Sequence, residues 1–478
     1  QILKGSTDRS TDIRFRSTMP VSALNALPRA FEQVFHRDRK KTDGGEADIK
    51  NGRYITILFS LGLLFYCFRF AAELCSPVAG CFVMAFVAFD PNVIAHSRLV
   101  TTDLFAALSF IATIYHLWRW LDKGHQPHFY YWCLAIAIAQ CCKPNSIILY
   151  LICAVPILFH LLQNGSRLRP VPIFKRAAFF LAAQLFIINA AFLFQGPWGE
   201  TLGQHHFHSA FFQSLQKGAL SKIPIPFVNA YVETFDLVQY ELETFDGTAL
   251  NYLLGALRYK SGFWNYYLVC FFFKTPVLTL FAIAAGTLRW LIAGKYRTFL
   301  LYGAWPAAFV FLLLSNAAIQ SGYRYLIPVS CLMTVFAAPV MDYLWQKSKL
   351  VAFIVLLLPL VESVSVFPDY ISYTNYFVPN KKLAYRLFAD SNLQWGQRIT
   401  ALKAFMAAHP GYLLEPAVPT TGMIIVDVNQ LVGIQQPGKF AWLRRSYLPV
   451  GTIGGCYLIF NVTATNTDFP QKMLQKQQ

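Results

Sequence analysis

Long apolar stretches alternate with short polar ones along this chain. Apolar runs lie at about 54–72, 76–90, 103–121, 128–142, 145–163, 174–195, 263–288, 298–315, 324–345 and 350–366. A helix needs roughly 20 apolar residues to cross a bilayer, fewer where its ends lie in protein. The pattern predicts about ten membrane-spanning helices, with 76–90 and 128–142 the shortest. Residues 1–53 are polar and basic, and Val21–Val34 has the spacing of an amphipathic helix lying on a membrane. After residue 366 the runs shorten. A helical stretch near 383–408 precedes strand-like runs at Gly422–Val428 and Cys456–Val462, which predicts a small α/β domain. The expected fold class is an all-α polytopic membrane protein, with 1–53 as an N-terminal loop, 54–366 as the helical body and 367–478 as a C-terminal α/β domain.

Composition agrees. The chain is 55% hydrophobic and 14% charged, with a mean hydropathy of +0.41. Soluble domains carry about 25% charge, so a soluble globular protein is excluded. The ten cysteines include no CxxC pair and no disulfide framework, and nearly all lie in or beside apolar runs. They read as small core residues.

The net charge of +17 is spread over loops. That distribution points to anionic lipid or phosphate and away from nucleic acid. Arg119 and Lys123; Arg167, Arg169, Lys175 and Arg176; Arg289, Lys295 and Arg297; and Lys347 and Lys349 fall in four short loops. Ten alternating spans put these loops on one side, read as cytoplasmic. The other side receives residues 1–53, the loop before Asp103, Lys143, the long loop 196–262, the turn at Arg324 and everything after 367.

That outer side gathers the candidate chemistry. Asp103 opens an apolar run, where a carboxylate is costly to bury. Thr102 or Asp103 could cap the helix, or Asp103 could serve a polar site. Lys143, Lys274 and Arg324 also stand at the ends of runs; Lys143 and Arg324 border the same face as Asp103, and Lys274 sits deeper. Such cations commonly snorkel to the interface, yet together they suit a lipid-linked phosphate, which Arg binds bidentately and Lys as a point charge. His205, His206 and His208 lack the Cys or HExxH partners of a zinc site and read as loop histidines. Glu233, Asp236, Glu241, Glu243 and Asp246 read as solvated loop acids. Asn461-Val462-Thr463 is a glycosylation sequon.

Several segments carry a resemblance. Phe89-Asp90-Pro91-Asn92-Val93-Ile94-Ala95-His96, then Arg98-Leu99-Val100-Thr101-Thr102-Asp103, resembles "fdPnllaHgrlvttD". Gly262-Phe263-Trp264-Asn265-Tyr266-Tyr267 with Lys274-Thr275-Pro276 resembles "G-W-YY…KTP". Gly322-Tyr323-Arg324-Tyr325-Leu326-Ile327-Pro328 resembles "GvRHlLP". Pro368-Asp369-Tyr370-Ile371-Ser372-Tyr373-Thr374-Asn375 and Asp390-Ser391-Asn392-Leu393-Gln394-Trp395-Gly396-Gln397 resemble "PdYlsYfN…DSNlDWGQ". Their order resembles the dolichyl-phosphate-mannose–protein mannosyltransferase-like family of GT-C membrane glycosyltransferases and its bacterial relatives, the aminoarabinose transferases.

The resemblance implies inverting transfer of a sugar from a polyprenyl-phosphate lipid to a protein or lipid acceptor. It implies an active face that is periplasmic or lumenal, in a bacterial inner membrane or the endoplasmic reticulum. Asp103 matches the family's second acid, which positions groups or a divalent metal ion; the primary base is expected upstream of Gln1. Lys143, Lys274 and Arg324 match basic positions near the lipid phosphate, and His96, Arg98, Tyr323, Asp390, Asn392, Trp395 and Gln397 fill further motif positions. The acid of the last motif is replaced by Gln394. The alternative reading is a non-catalytic GT-C-like subunit of a larger membrane assembly. A transporter would need paired broken spans at mid-membrane, which the sequence does not present.

Overall fold

The structure is a computed structural model, and it describes residues 19–28, 31, 46–164, 170–194, 199–244, 250–294 and 296–463. All ten apolar runs are helical. In chain order the helices are α1 (Glu46–Leu74), α2 (Pro77–Ala88), α3 (Pro91–Ser97), α4 (Asp103–Leu121), α5 (Pro127–Cys142), α6 (Ile148–Asn164) and α7 (Pro170–Ala191). After the long loop come α8 (Tyr266–Lys274), α9 (Val277–Ile292), α10 (Tyr296–Ser315, with a π turn at Leu300–Ala304), α11 (Ile327–Val335), α12 (Ala338–Lys347) and α13 (Lys349–Ser365).

Among the described residues six helices are long and apolar enough to cross a membrane, or eight if each of two bent pairs counts as one span. The chain is an integral multi-pass membrane protein. The expected count of about ten is reduced for two reasons. α2 and α3 meet at 65° and α8 and α9 at 110°, because Pro91 and Pro276 follow the breaks. α5 and α13 have only 16 and 17 residues. Exposed leucine, isoleucine, valine and phenylalanine cover α13 and the outer faces of α1, α6 and α7, as lipid contact requires.

The loops segregate to the two ends of the bundle as the charge pattern predicts. At one end Glu73 pairs with Arg119, Ser76 bonds Asp342, Asp122 accepts from Thr298 and Tyr302, and Arg176 bonds Gln126. Asp103, Lys143, Arg324 and the C-terminal domain meet at the other end.

Pro20–Ala26 is a 3-10 helix, while residues 29, 30 and 32–34 of the expected amphipathic helix lie outside the described residues. Met19 and Val21 are buried against Phe105 and Cys142, and Asn25 accepts from Thr56. Met19, Val21 and Leu24 fill a groove between α1, α4 and α5, while Leu27 and Phe31 are exposed.

In the long loop the acids do more than face water. Asp236 is fully buried and accepts from the Ser209 hydroxyl and the backbone N–H groups of His208 and Ser209. Glu243 accepts from the N–H groups of Ala210 and Phe211 at the start of helix Ala210–Gln216. Asp246 lies outside the described residues.

The C-terminal domain is a four-stranded sheet of order β3-β4-β6-β5, with β1 and β2 forming a hairpin earlier in the chain at Leu250–Leu253 and Ala256–Tyr259. β3 (Leu413–Leu414) runs parallel to β4 (Gly422–Asp427); β6 (Tyr457–Val462) is antiparallel to both β4 and β5 (Gly451–Ile453). Strand alternation divides the two faces. Ile424, Val426, Leu458, Phe460 and Val462 join the same apolar core as the membrane helices. Ile425, Ile453, Tyr457 and Ile459 pack with Leu402 of the helix Ile399–Ala408. The helical stretch expected at 383–408 is confined to Ile399–Ala408, with 3-10 turns before it. Positive φ at Asp390 (53°) and Gly396 (75°) breaks any continuous helix there.

Candidate functional site

The site grows from three chain turns at the end of the bundle opposite the four short basic loops. The first is the entry to α4. Thr102 holds the N-cap position without a side-chain hydrogen bond, so capping is not what Thr102 supplies. Asp103 occupies the first helical turn, where the helix dipole favours its negative charge. The second is the break after α5. Pro144 forbids continuation of the helix, and Lys143 leaves it in an extended conformation (φ −155°, ψ 140°). The third is the turn before α11. Gly322 takes φ 81°, which admits glycine without strain, and delivers Tyr323, Arg324 and Tyr325 to a 3-10 turn.

These turns converge. The Lys143 ammonium donates to Asp103 Oδ1 at 2.7 Å, with the carboxylate almost fully buried. A buried carboxylate needs such a partner. Lys143 also lies 3.9 Å from the Tyr325 ring centroid. The Arg324 guanidinium carbon is 5.2 Å from the same ring and 4.7 Å from the ring of Trp395. Asp103, Lys143, Asn145, Ser146, Arg324 and Tyr325 line one side of a cleft of about 60 Å³; Phe110, Leu149, Val310 and Leu314 give it an apolar wall. Two cations beside an apolar wall can hold an anionic head group while its tail stays in hydrocarbon.

His96 is buried at the back of this site, with Nδ1 3.8 Å from Asp103 Oδ2. Neither atom has a hydrogen-bond partner among the described residues. The His96 ring meets Trp395 edge-on at 5.6 Å. Asp90 caps α3 by accepting from the Asn92 N–H at 2.7 Å, and Asn92 donates to the Lys274 carbonyl. The Asp90-Pro91-Asn92 stretch is thus a strut that places His96.

Other expected site residues stand elsewhere. Lys274 is not in the cleft. Its buried ammonium donates to the carbonyls of Ile371 (2.8 Å) and Asn392 (2.6 Å), tying the α8 terminus to the C-terminal domain. Arg98 is exposed. Tyr323 is buried with its hydroxyl between Thr275 and Ser330. Asn392 accepts from the Tyr323 N–H and donates to the Tyr266 hydroxyl, both at 2.9 Å. Asp390 accepts from Ser391, and Gln397 accepts from the Trp395 N–H and donates to the Leu393 carbonyl. These motif residues build the joint on which Arg324 and Trp395 sit.

A divalent ion at Asp103 does not fit this donor set. Among the described residues no group of three or more His, Cys, Asp or Glu side chains converges. The Lys143 ammonium already neutralises the carboxylate a metal would use. His208 pairs with Asp236 instead of joining His205 and His206. Tyr325, Asn145 and Ser146 line the cleft without having been singled out from the sequence; their adjacency to Arg324 and Lys143 was the available signal.

Residues 45–192 match the family model of dolichyl-phosphate-mannose-protein mannosyltransferase. This segment carries Asp103 and Lys143, and the match upholds the resemblance that the motifs display. Among solved structures the chain is similar to ArnT from Cupriavidus metallidurans in the apo state, at 11% identity over 87% of this chain and 84% of that chain, with a TM-score of 0.42. It is also similar to the same protein bound to undecaprenyl phosphate, at 12% identity over 94% of this chain and 88% of that one, with a TM-score of 0.45. Among curated protein sequences none matches this chain.

Proposed function

We propose that the cleft holds the phosphate of a polyprenyl-phosphate-linked sugar and that the chain transfers the sugar to a protein or lipid acceptor. The observation that carries this reading is the convergence of Lys143 and Arg324 on one cleft beside the buried carboxylate of Asp103. The family match over the segment that supplies Asp103 and Lys143 supports it.

Transfer breaks the bond between the anomeric carbon and the phosphate oxygen and forms one to the acceptor hydroxyl. Charge accumulates on the departing phosphate. An ammonium and a guanidinium already placed there stabilise that charge without reorganisation. The acceptor proton must pass to a base. Asp103 Oδ1 is engaged by Lys143, so Asp103 acts here as the second acid: it fixes the ammonium, while its buried Oδ2 faces His96. The cleft lies at the end of the bundle opposite the basic loops, which supports a periplasmic or lumenal active face.

The test uses the full chain, purified in detergent, with a radiolabelled polyprenyl-phosphate sugar and a hydroxyl acceptor. Arg324→Ala and Lys143→Ala are each expected to weaken polyprenyl monophosphate binding about tenfold or more, the worth of one charge-assisted hydrogen bond. Asp103→Asn is expected to lower transfer. Unchanged binding in both cation variants would overturn the reading. Tight binding with no transfer would favour the non-catalytic subunit instead.

A further inference from the structure

The C-terminal domain meets the cleft-lining Arg324 through Trp395. Trp395 touches Arg324 by its face of the guanidinium at 4.7 Å and His96 at 5.6 Å between ring centroids. It belongs to a loop fixed by the C-terminal domain, by the turn that carries Arg324 and, through Asn392, by Tyr266 and Lys274 of α8. The Trp395 N–H donates to Gln397 Oε1 at 2.6 Å, and Gln394 accepts from the Gly396 N–H while its amide donates to Asp427 at the end of β4. The Asp390 N–H donates to Asn429 at 2.8 Å. On the other side Asn392 accepts from the Tyr323 N–H. Gly322 approaches so closely that a Cβ there would lie 2.5 Å from Ser391 Oγ.

Arg324 itself is lightly held. Its Nε donates to the Ser321 carbonyl at 3.0 Å. Among the described residues its terminal Nη nitrogens have no hydrogen bond or ion pair, while Tyr325 and Trp395 rings flank the guanidinium. A flexible side chain with free Nη donors pays an entropy cost on gripping a phosphate unless something fixes its plane. Aromatic faces can do that through cation–π contact.

We propose that Trp395 is a positioning residue: it sets the plane of Arg324 so that both Nη groups face the cleft, and it thereby makes anion binding depend on the C-terminal domain. The inference rests on the proposed phosphate site. Trp395 acts through Arg324 and makes no contact of its own with the anion.

The experiment measures binding of a polyprenyl monophosphate to the full chain in lipid nanodiscs by titration calorimetry. Trp395→Met keeps an apolar, smaller side chain without a π face, and Trp395→Phe keeps a π face. Trp395→Met is expected to weaken binding about tenfold and Trp395→Phe about twofold or less. In an Arg324→Ala background Trp395→Met is expected to change nothing further. A merely structural role would add its loss to that of Arg324→Ala, and additive losses would overturn the inference. So would wild-type affinity in Trp395→Met while Arg324→Ala is weak, an outcome that leaves the phosphate site standing. Equal binding by the wild type and Arg324→Ala would remove the phosphate site and this inference together. Thermal unfolding of each variant checks its fold; if Trp395→Met does not fold, Trp395→Leu, which also lacks a π face, carries the same cycle in both backgrounds.

Discussion

Lys143 and Asp103 lie forty positions apart in sequence and form one charge pair, 2.7 Å from ammonium nitrogen to carboxylate oxygen. The pair locks the break after α5 to the entry of α4. Its two members are unequal, since Asp103 is almost fully buried and Lys143 reaches the cleft. Removing the lysine leaves an uncompensated buried charge, whereas removing both leaves a neutral contact. Lys143→Met is therefore expected to destabilise the protein by about 3 kcal/mol, and Asp103→Asn/Lys143→Met by clearly less. Thermal unfolding of the single and double variants in one detergent checks the cycle. Equal loss in both would show that a stranded Asp103 charge is not what destabilises the lysine variant.

Lys274 gives the opposite signature. Its ammonium serves two carbonyls, and nothing of it reaches the cleft. Lys274→Met strands the carbonyls of Ile371 and Asn392 in the interior, at about 1–3 kcal/mol each. The expected result is a lower unfolding temperature with polyprenyl monophosphate affinity unchanged in the protein that remains folded. Parallel calorimetry and unfolding measurements separate the two, and a selective loss of lipid affinity would return Lys274 to the binding site.

These two lysines show what the sequence makes legible. Apolar run length locates the helices, and alternation with basic loops sorts residues to the ends of the bundle, so Asp103, Lys143 and Arg324 could be placed on one side from the chain alone. Their partners could not. Lys143 and Lys274 both precede a Pro-bearing break at the end of an apolar run, and only tertiary packing decides that one ammonium meets a carboxylate and the other two carbonyls. The same holds for Asp236, read as a solvated loop acid but enclosed by the donors of His208 and Ser209. The breaks at Pro91 and Pro276 mark bends, but their angles depend on what α3 and α8 pack against. Trp395 could be assigned to a motif, whereas its position on Arg324 rests on a joint between loops some seventy residues apart.

The pH dependence of the long loop follows from Asp236. Burial raises its pKa, but the hydrogen bonds from Ser209 and His208 outweigh burial and hold it below the usual carboxylate value. A depressed folded pKa contributes stability that is present above the unfolded value of about 3.9 and is lost as pH falls through the folded value. Residues 205–216 are expected to gain hydrogen-exchange and protease sensitivity below about pH 4. Asp236→Asn is expected to flatten that dependence and to lower protection at neutral pH. A loop equally protected at acid and neutral pH would contradict the assignment.

Gln394 replaces the acid of the family motif and donates to Asp427, whose pKa burial raises even though hydrogen bonds from Gln394 and Asn429 pull the other way. Gln394→Asp removes a donor and sets a second carboxylate beside a buried one. Two carboxyls in one site cannot both ionise cheaply, so the pair retains a proton and its folded pKa rises further. A raised folded pKa favours the native state at low pH, and that stability is lost as pH rises through it. Gln394→Asp is thus expected to unfold near the wild-type temperature at about pH 4 and progressively lower from about pH 5 to 8. The wild type should show a weaker slope of the same sign from Asp427 and from Glu415, whose pKa burial also raises. Unfolding temperatures recorded across this range for both proteins decide it, and a variant with the wild-type slope would mean that residue 394 and Asp427 do not share a proton. Because the Trp395 loop hangs on Gln394, the same variant is expected to weaken polyprenyl monophosphate binding at pH 8 more than at pH 5.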